Sequence, residues 1–167
     1  GGIVTDDPAW AELMRSLRNQ GRDEGDLWLM HSRLGYNYRL DEMSCALGVA
    51  QMERIEELLR KRERVAQTYT RLLRDVPGVQ VPYIAPETTR MSWFLYVVRL
   101  TGRANRSKVM QWLQARGVPT RPYFPPIHLQ PFYRQQCGYR EGDFRVAETA
   151  GRSTLALPFS GVMTPGQ

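Results

Sequence analysis

The spacing of apolar positions gives this chain its outline. From Leu40 onward Met43, Leu47, Val49, Ala50, Met52, Ile55, Leu58, Leu59, Ala66, Tyr69, Leu72, Leu73 and Val76 recur mostly at three- and four-residue steps, the period of an α-helix. The pattern predicts one helix that runs to Asp75 and is stopped by Pro77-Gly78. Unbroken, that helix is about 54 Å long at ~1.5 Å per residue, longer than a small domain is wide, so one end has to leave the core in which it starts. It divides the chain into residues 1–39, a helix over 40–76, and a second domain over 77–167.

Ahead of the long helix, Gly1 to Thr5 reads as a strand edge. Asp6-Asp7-Pro8 then supplies a helix cap with proline at the first helical position. Trp10, Leu13, Met14 and Leu17 give that helix its apolar side, and Gly21 ends it. Residues 22–34 are polar and irregular and read as a loop. Beyond the long helix, the proline-interrupted stretch 79–85 reads as an edge strand or connector. Residues 91–100, aromatic and β-branched with little alternation, predict a strand covered on both faces. Asn105 caps a helix through Val109, Met110, Trp112 and Leu113 that stops at Gly117, residues 118–124 form a second strand, and 145–154 a further helix. Strand, helix, strand and helix in that order indicate a small α/β or α+β domain.

Composition narrows the class. The 167 residues are 42% hydrophobic and 24% charged, as in a soluble globular protein. A net charge of +6 and a pI near 9.7 raise an anionic ligand or nucleic acid as partners. The densest charged run, residues 53–64, alternates in sign, however, as a solvated helix face does and a nucleic-acid-binding stripe does not. Cys45 reads as core and Cys137 as a loop thiol. With His31 and His128 they form no metal-binding spacing. No apolar run approaches the ~20 residues that span a bilayer.

Two stretches stand out chemically. In Gly35-Tyr36-Asn37-Tyr38-Arg39-Leu40-Asp41-Glu42 an amide and a guanidinium sit among aromatic rings just before a helix N-terminus, where free N–H groups favour a phosphate or carboxylate. The competing reading is a tyrosine-rich turn in which Asn37 caps backbone and Arg39 pairs with Asp41. The second stretch, residues 122–133, has its backbone fixed by prolines and carries aromatics, His128 and Gln130. It can mount binding groups, or it can be a connector whose rings pack on the core with His128 half-exposed and hydrogen-bonded.

Taken together, these stretches resemble the C-terminal portion of the DegT/DnrJ/StrS family of sugar aminotransferases. The matching pieces are Gly-Gly-Ile-Val-Thr-Asp-Asp at 1–7, Leu-Arg-Asn-Gln-Gly at 17–21, Leu-Gly-Tyr-Asn-Tyr-Arg-Leu-Asp-Glu at 34–42, Ala-Leu-Gly-Val-Ala-Gln at 46–51, Pro-Ile-His-Leu-Gln-Pro at 126–131 and Leu-Ala-Leu-Pro at 155–158. They fall in the family's order over nearly the whole chain. Gln20 and Tyr123-Phe124 depart from it, since many relatives carry His and His-Tyr there.

The resemblance implies an α/β fold, the C-terminal part of a fold-type I pyridoxal-phosphate-dependent transferase. Residues 1–39 would be the end of the large cofactor-binding domain, 40–76 the interdomain helix and 77–167 the small domain. It implies pyridoxal 5'-phosphate as cofactor, an amino group taken from glutamate or glutamine, and a nucleotide-linked keto-sugar as acceptor. It further implies a cytoplasmic homodimer whose cofactor site is shared across the interface, serving cell-surface polysaccharide or natural-product sugar synthesis. Asn37 matches the asparagine that reaches the neighbouring subunit's cofactor phosphate, and Arg39 the basic residue beside it. Arg121, Tyr123 and His128 match the wall facing the nucleotide-sugar. The Schiff-base lysine of the family lies before the residues matching Gly1-Gly2. The only lysines here, Lys61 and Lys108, match no catalytic context, which implies that the 167 residues alone are inactive. Two alternatives remain: a dehydratase of the same family that uses pyridoxamine phosphate, and a basic nucleic-acid-binding module.

Overall fold

Asp7 starts the first helix by accepting from Ala9 N (2.8 Å) and Trp10 N (3.3 Å), two of the N–H groups a helix N-terminus leaves unpaired. α1 runs Pro8–Arg18. The computed structural model describes residues 2–164 and divides into two units, Gly1–Glu53 and Arg54–Gln167.

The first unit holds α1 and α2 (Glu42–Glu53). Gly1 lies outside the described residues, and residues 2–5 form no strand, with Ile3 and Val4 exposed. The β-branched run has the propensity for a strand, but no partner pairs with it among the described residues. α2 buries none of its residues. Cys45, expected in a core, is exposed with the rest of that helix.

The expected single helix over 40–76 is two helices. Arg54, at φ −106° and ψ 5°, leaves the helical well, and α3 begins again at Ile55 and runs to Leu73. One turn residue hardly disturbs the three- and four-residue step, because Ile55, Leu58 and Leu59 resume it; the periodicity therefore cannot see the break.

In the second unit α3 packs Ala66, Tyr69 and Leu73 toward a four-stranded antiparallel sheet. Its strands are β1 (Val79–Gln80), β2 (Tyr96–Leu100), β3 (Arg121–Pro122) and β4 (Thr154–Leu157), in the order β1-β2-β4-β3. Tyr96 pairs with Leu157 and Val98 with Leu155, so these four side chains share one face of the sheet. Tyr96, Val98 and Leu100 are buried, Val97 is half-buried and Arg99 is exposed. β2 is thus fully covered on one face and only partly on the other, and only the last five of residues 91–100 are strand. The expected strand over 118–124 shrinks to Arg121–Pro122, because the following prolines cannot donate to a ladder.

Tyr96 and Leu155 are the largest fully enclosed side chains. Each contributes on the order of 1.5–3 kcal/mol through burial. The Tyr96 ring stacks on Tyr69 (5.0 Å) and Trp93 (5.7 Å). Its hydroxyl is satisfied by Thr70 Oγ1 at 2.8 Å, and the Tyr69 hydroxyl donates to Pro158 O at 2.7 Å. α4 (Arg106–Gln114), capped by Asn105 as its position predicts, adds Val109, Met110 and Leu113 to this core. A 3-10 turn at Ile127–Leu129, then α5 (Pro131–Cys137) and α6 (Arg145–Ser153), complete the unit. Cys137 is the last residue of α5, exposed, with Gly138 in the left-handed conformation behind it.

Candidate functional site

The corner at Gly35 to Asp41 is built by a close backbone approach. A β-carbon on Gly21 would lie 1.8 Å from Arg33 O, and one on Gly35 would lie 2.0 Å from Gly21 N. Only two glycines let these segments meet, and Gly21 also has φ +78°. The chain beyond Gly35 then lies along the end of α1. Tyr36 N donates to Leu17 O (2.7 Å), Tyr38 N to Arg18 O (2.9 Å), and Gln20 N to Tyr36 O (2.8 Å). These bonds make an antiparallel bridge between Asn19 and Asn37.

That bridge engages Asn37 through its local backbone and leaves its side chain exposed, without a hydrogen bond among the described residues. The Tyr36 and Tyr38 rings stack at 5.0 Å on either side of it in sequence. Arg39 Nη1 donates to Asn19 Oδ1 at 3.0 Å. Asp41 is occupied elsewhere, accepting from Ser44 N (2.9 Å) and Ser44 Oγ (2.7 Å). Those two bonds hold its carboxyl below the usual aspartate range. Neither half of the simple turn expectation therefore appears: Asn37 caps nothing with its amide, and Arg39 does not pair with Asp41.

In the second unit, Arg121 stands exposed on β3, opposite Ala156 of β4, and its guanidinium has no partner among the described residues. The half-buried Tyr123 stacks on Phe124, ring centres 4.1 Å apart, and its carbonyl accepts from Thr154 Oγ1. A cavity of about 660 Å³ opens between these residues and His128, Tyr133, Tyr139 and Phe144. The structure brings Tyr123 and His128 to this one cavity; Arg121 does not line it.

His128 is buried rather than half-exposed. Its Nε2 lies 3.1 Å from Glu148 Oε1. An ionised carboxylate only accepts, so Nε2 carries the hydrogen. Glu148 Oε1 also accepts from Gly142 N (2.8 Å) and Phe144 N (3.3 Å), while Arg152 Nη1 lies 3.8 Å from Oε2. Burial pushes the Glu148 carboxyl up, and these bonds to Gly142, His128 and Phe144 outweigh it, leaving the group below the ordinary glutamate value. Glu148 thereby ties α6, the 140–144 loop and the 3-10 turn into one side of the cavity. Sequence reading missed it. The available signal was Gly151, three residues on and on the same helix face, where a β-carbon would lie 2.8 Å from Phe124 O: a helix that presents glycine to another backbone is buried on that face, Glu148 included.

Lys61 pairs with Glu57 on α3, and Lys108 stands exposed in the first turn of α4. No group of three metal-binding side chains occurs among the described residues, and no described helix is long and apolar enough to cross a membrane.

The pattern of the DegT/DnrJ/EryC1/StrS aminotransferase family matches residues 1–167, and the chain belongs to that family. It is 36% identical over 159 residues to the erythromycin biosynthesis sensory transduction protein EryC1 of Saccharopolyspora erythraea, covering 95% of this chain and 41% of that protein. It is 35% identical over 161 residues to the GDP-perosamine synthase of Caulobacter vibrioides, covering 95% and 42%. The crystal structure of DesV from S. venezuelae superposes with a TM-score of 0.87 at 33% identity, covering 98% of this chain and 42% of that one. The chain therefore spans about two fifths of the length of the relatives it matches. Its mixed α/β architecture is that of part of such an aminotransferase.

Proposed function

We propose that these residues are part of a pyridoxal-phosphate-dependent aminotransferase that passes an amino group from glutamate or glutamine to a keto-sugar carried on a nucleotide. The observation that carries this reading is the exposed, uncommitted Asn37 amide, held by the glycine-built corner and followed by the Arg39 guanidinium. A phosphate needs converging donors, and Asn37 together with the remaining Arg39 N–H groups fits one. The cofactor, when bound, supplies the electron sink. Asn37 and Arg39 would bind its phosphate on the neighbouring subunit of a homodimer. The exposed apolar residues of α2 would supply a surface for such a second copy. In the second unit, the free Arg121 guanidinium would pair with a phosphate of the nucleotide and the Tyr123 ring would face the sugar. His128, enclosed by Glu148, would hold the cavity wall in place, a positioning role. The lysine that bonds to the cofactor would come from outside these residues, since neither Lys61 nor Lys108 matches a catalytic context.

The test is Asn37→Ala in the full-length protein. Losing a donor to a phosphate costs ~1.5–3 kcal/mol, about one to two orders of magnitude in cofactor affinity. The rise in melting temperature that the cofactor induces should shrink accordingly. A cofactor-induced rise equal to that of the unaltered protein would remove Asn37 from the site.

A further inference from the structure

Of the chain's 23 basic and 17 acidic side chains, nine basic and no acidic ones lie between residues 88 and 140. The net charge of +6 therefore arises within that stretch, and the remainder of the chain is acidic on balance. Three of the nine are spent locally: Arg90 pairs with Glu56, Arg106 donates to Gly151 O and Thr154 O, and Arg116 lies over the Trp112 ring. Arg99 of β2 and Arg121 of β3 are not. Both are exposed, and neither makes a side-chain hydrogen bond or ion pair among the described residues.

The strand register puts these two guanidiniums on one face of the sheet. Arg99 pairs with Thr154 and Val97 with Ala156 across β2 and β4, and Arg121 pairs with Ala156 across β3 and β4. Directly paired residues of an antiparallel sheet point the same way, as do residues two apart on one strand. Arg99 and Arg121 therefore both stand on the face opposite to Tyr96, Val98 and Leu155, away from the core. With β4 between them and a stagger of two residues, their backbones are about 12 Å apart, a span that two long side chains can close from both ends. None of the four strands carries an acidic residue, so the sheet offers these charges no carboxylate, and a bound anion would relieve their repulsion. The same face adjoins the 660 Å³ cavity, because Thr154, the direct partner of Arg99, and Tyr123, two residues past Arg121, both line it. Neither arginine lines the cavity itself. Arg99 stands in the row of Thr154, at the cavity, and Arg121 one row farther out.

We propose that Arg99 joins Arg121 in gripping the diphosphate of the nucleotide-sugar, which lies across β4 outside the cavity that takes the sugar. This rests on the aminotransferase reading above, which gives Arg121 one phosphate and leaves the second without a partner. A guanidinium forks onto two oxygens of a single phosphate, so two phosphates call for two of them. Arg99, beside the cavity, meets the phosphate attached to the sugar, and Arg121 meets the one attached to the nucleoside. Arg99 is thereby the residue that distinguishes a diphosphate from a monophosphate.

The test is calorimetric titration of uridine, guanosine and thymidine diphosphates, and of the matching monophosphates, into the full-length protein saturated with pyridoxal phosphate, which keeps the titrated phosphates out of the cofactor site. For the preferred base, the diphosphate should bind at least tenfold tighter than the monophosphate. Arg99→Gln should weaken the diphosphate at least tenfold and the monophosphate less than twofold, and Arg99→Lys should restore part of the preference. Arg121→Gln should weaken both nucleotides. Arg103→Gln removes an equally exposed charge just past β2 and should change neither. An intact preference in Arg99→Gln, an equal loss for both nucleotides, or the same loss in Arg103→Gln overturns the proposal, as does a parent protein that binds no nucleotide. The absorbance of the bound cofactor on adding glutamate or glutamine reports separately on the aminotransferase reading. Amino-group uptake together with an intact preference in Arg99→Gln would sink this inference alone, and a lost preference without uptake would sink only that reading.

Discussion

The two units dispose of their apolar residues in opposite ways. In the second, Tyr96 and Leu155 are enclosed between α3, α4 and the sheet, and Trp93, Val98 and Ala66 close the same core. In the first, α2 carries Met43, Leu47, Val49 and Met52 to the surface, and Trp28, Leu29 and Leu34 of the loop are exposed as well. The second unit thus completes a core from its own sequence. The first does not: it is held by backbone bonds and a glycine contact, and it offers a surface that needs something further to cover it. This fits a chain spanning two fifths of its relatives' length, and it places the hydrophobic driving force almost wholly in one half.

The sharpest way to break the comparison is at Gly21. An alanine there would put its β-carbon 1.8 Å from Arg33 O, a backbone atom that cannot step aside without opening the 20–38 corner. We expect a loss beyond ~4 kcal/mol, in the range reserved for overpacking and strained backbone. Gly138→Ala also places a side chain at positive φ but meets nothing within 4 Å; about 1–2 kcal/mol is expected there. Hydrogen exchange read peptide by peptide in the longer protein separates the two: Gly21→Ala should deprotect residues 17–38 and leave β2 and β4 protected. Unchanged exchange around Tyr36 would show that the close approach does not hold the corner.

Next in size is a matched pair of leucine truncations in the 167-residue chain. Leu155→Ala empties a fully enclosed position between Val98 and the helices and should cost about 2–5 kcal/mol. Leu47→Ala removes the same atoms from a position 64% exposed and should stay within ~0.5 kcal/mol, as surface changes do. In the longer protein the Leu47 cost should rise toward the Leu155 value if α2 is covered there. Equal small costs in both forms would mean that α2 is a solvent face.

How much of this was legible in the sequence depends on whether the cause was local. Asp7 and Asn105 announced α1 and α4, because a cap acts over three residues. Tyr36 to Asp41 stood out as a site because unusual side chains were adjacent in sequence. The break at Arg54 was hidden, since one turn residue hardly alters the apolar step. β4 was hidden too: Thr154-Leu155-Ala156-Leu157 follows directly on a helical pattern, and its strand character comes from β2 and β3 on either side. The Gly21–Gly35 approach and the Glu148–His128 bond join residues distant in the chain. The first has no signature in local spacing, and Gly151 marks the face of Glu148 as buried without naming His128 as its partner.

The last effect, and the one that depends on pH, concerns Glu148. Its carboxyl lies below the ordinary glutamate value of 4.5 in the folded chain, so folding binds fewer protons there than the unfolded chain does. The stability it contributes is fully present above that ordinary value and is lost as the pH falls through the lowered folded one. Glu57, held at about 2 by Lys61 and Arg54, and Glu56, lowered by Arg90, add acid sensitivity of the same sign from α3. Only Glu148 is enclosed, with His128, Gly142 and Phe144 all bonded to one of its oxygens. Glu148→Gln keeps the shape and an acceptor but cannot titrate. The denaturation midpoint, followed from pH 7 down to pH 3, should therefore fall less steeply in this variant than in the parent chain, and the two curves should converge at the acid end. An acid limb of equal slope in Glu148→Gln and parent would mean that the enclosed carboxylate does not hold the cavity wall, and the contrast between a self-sufficient second unit and a dependent first one would then rest on apolar burial alone.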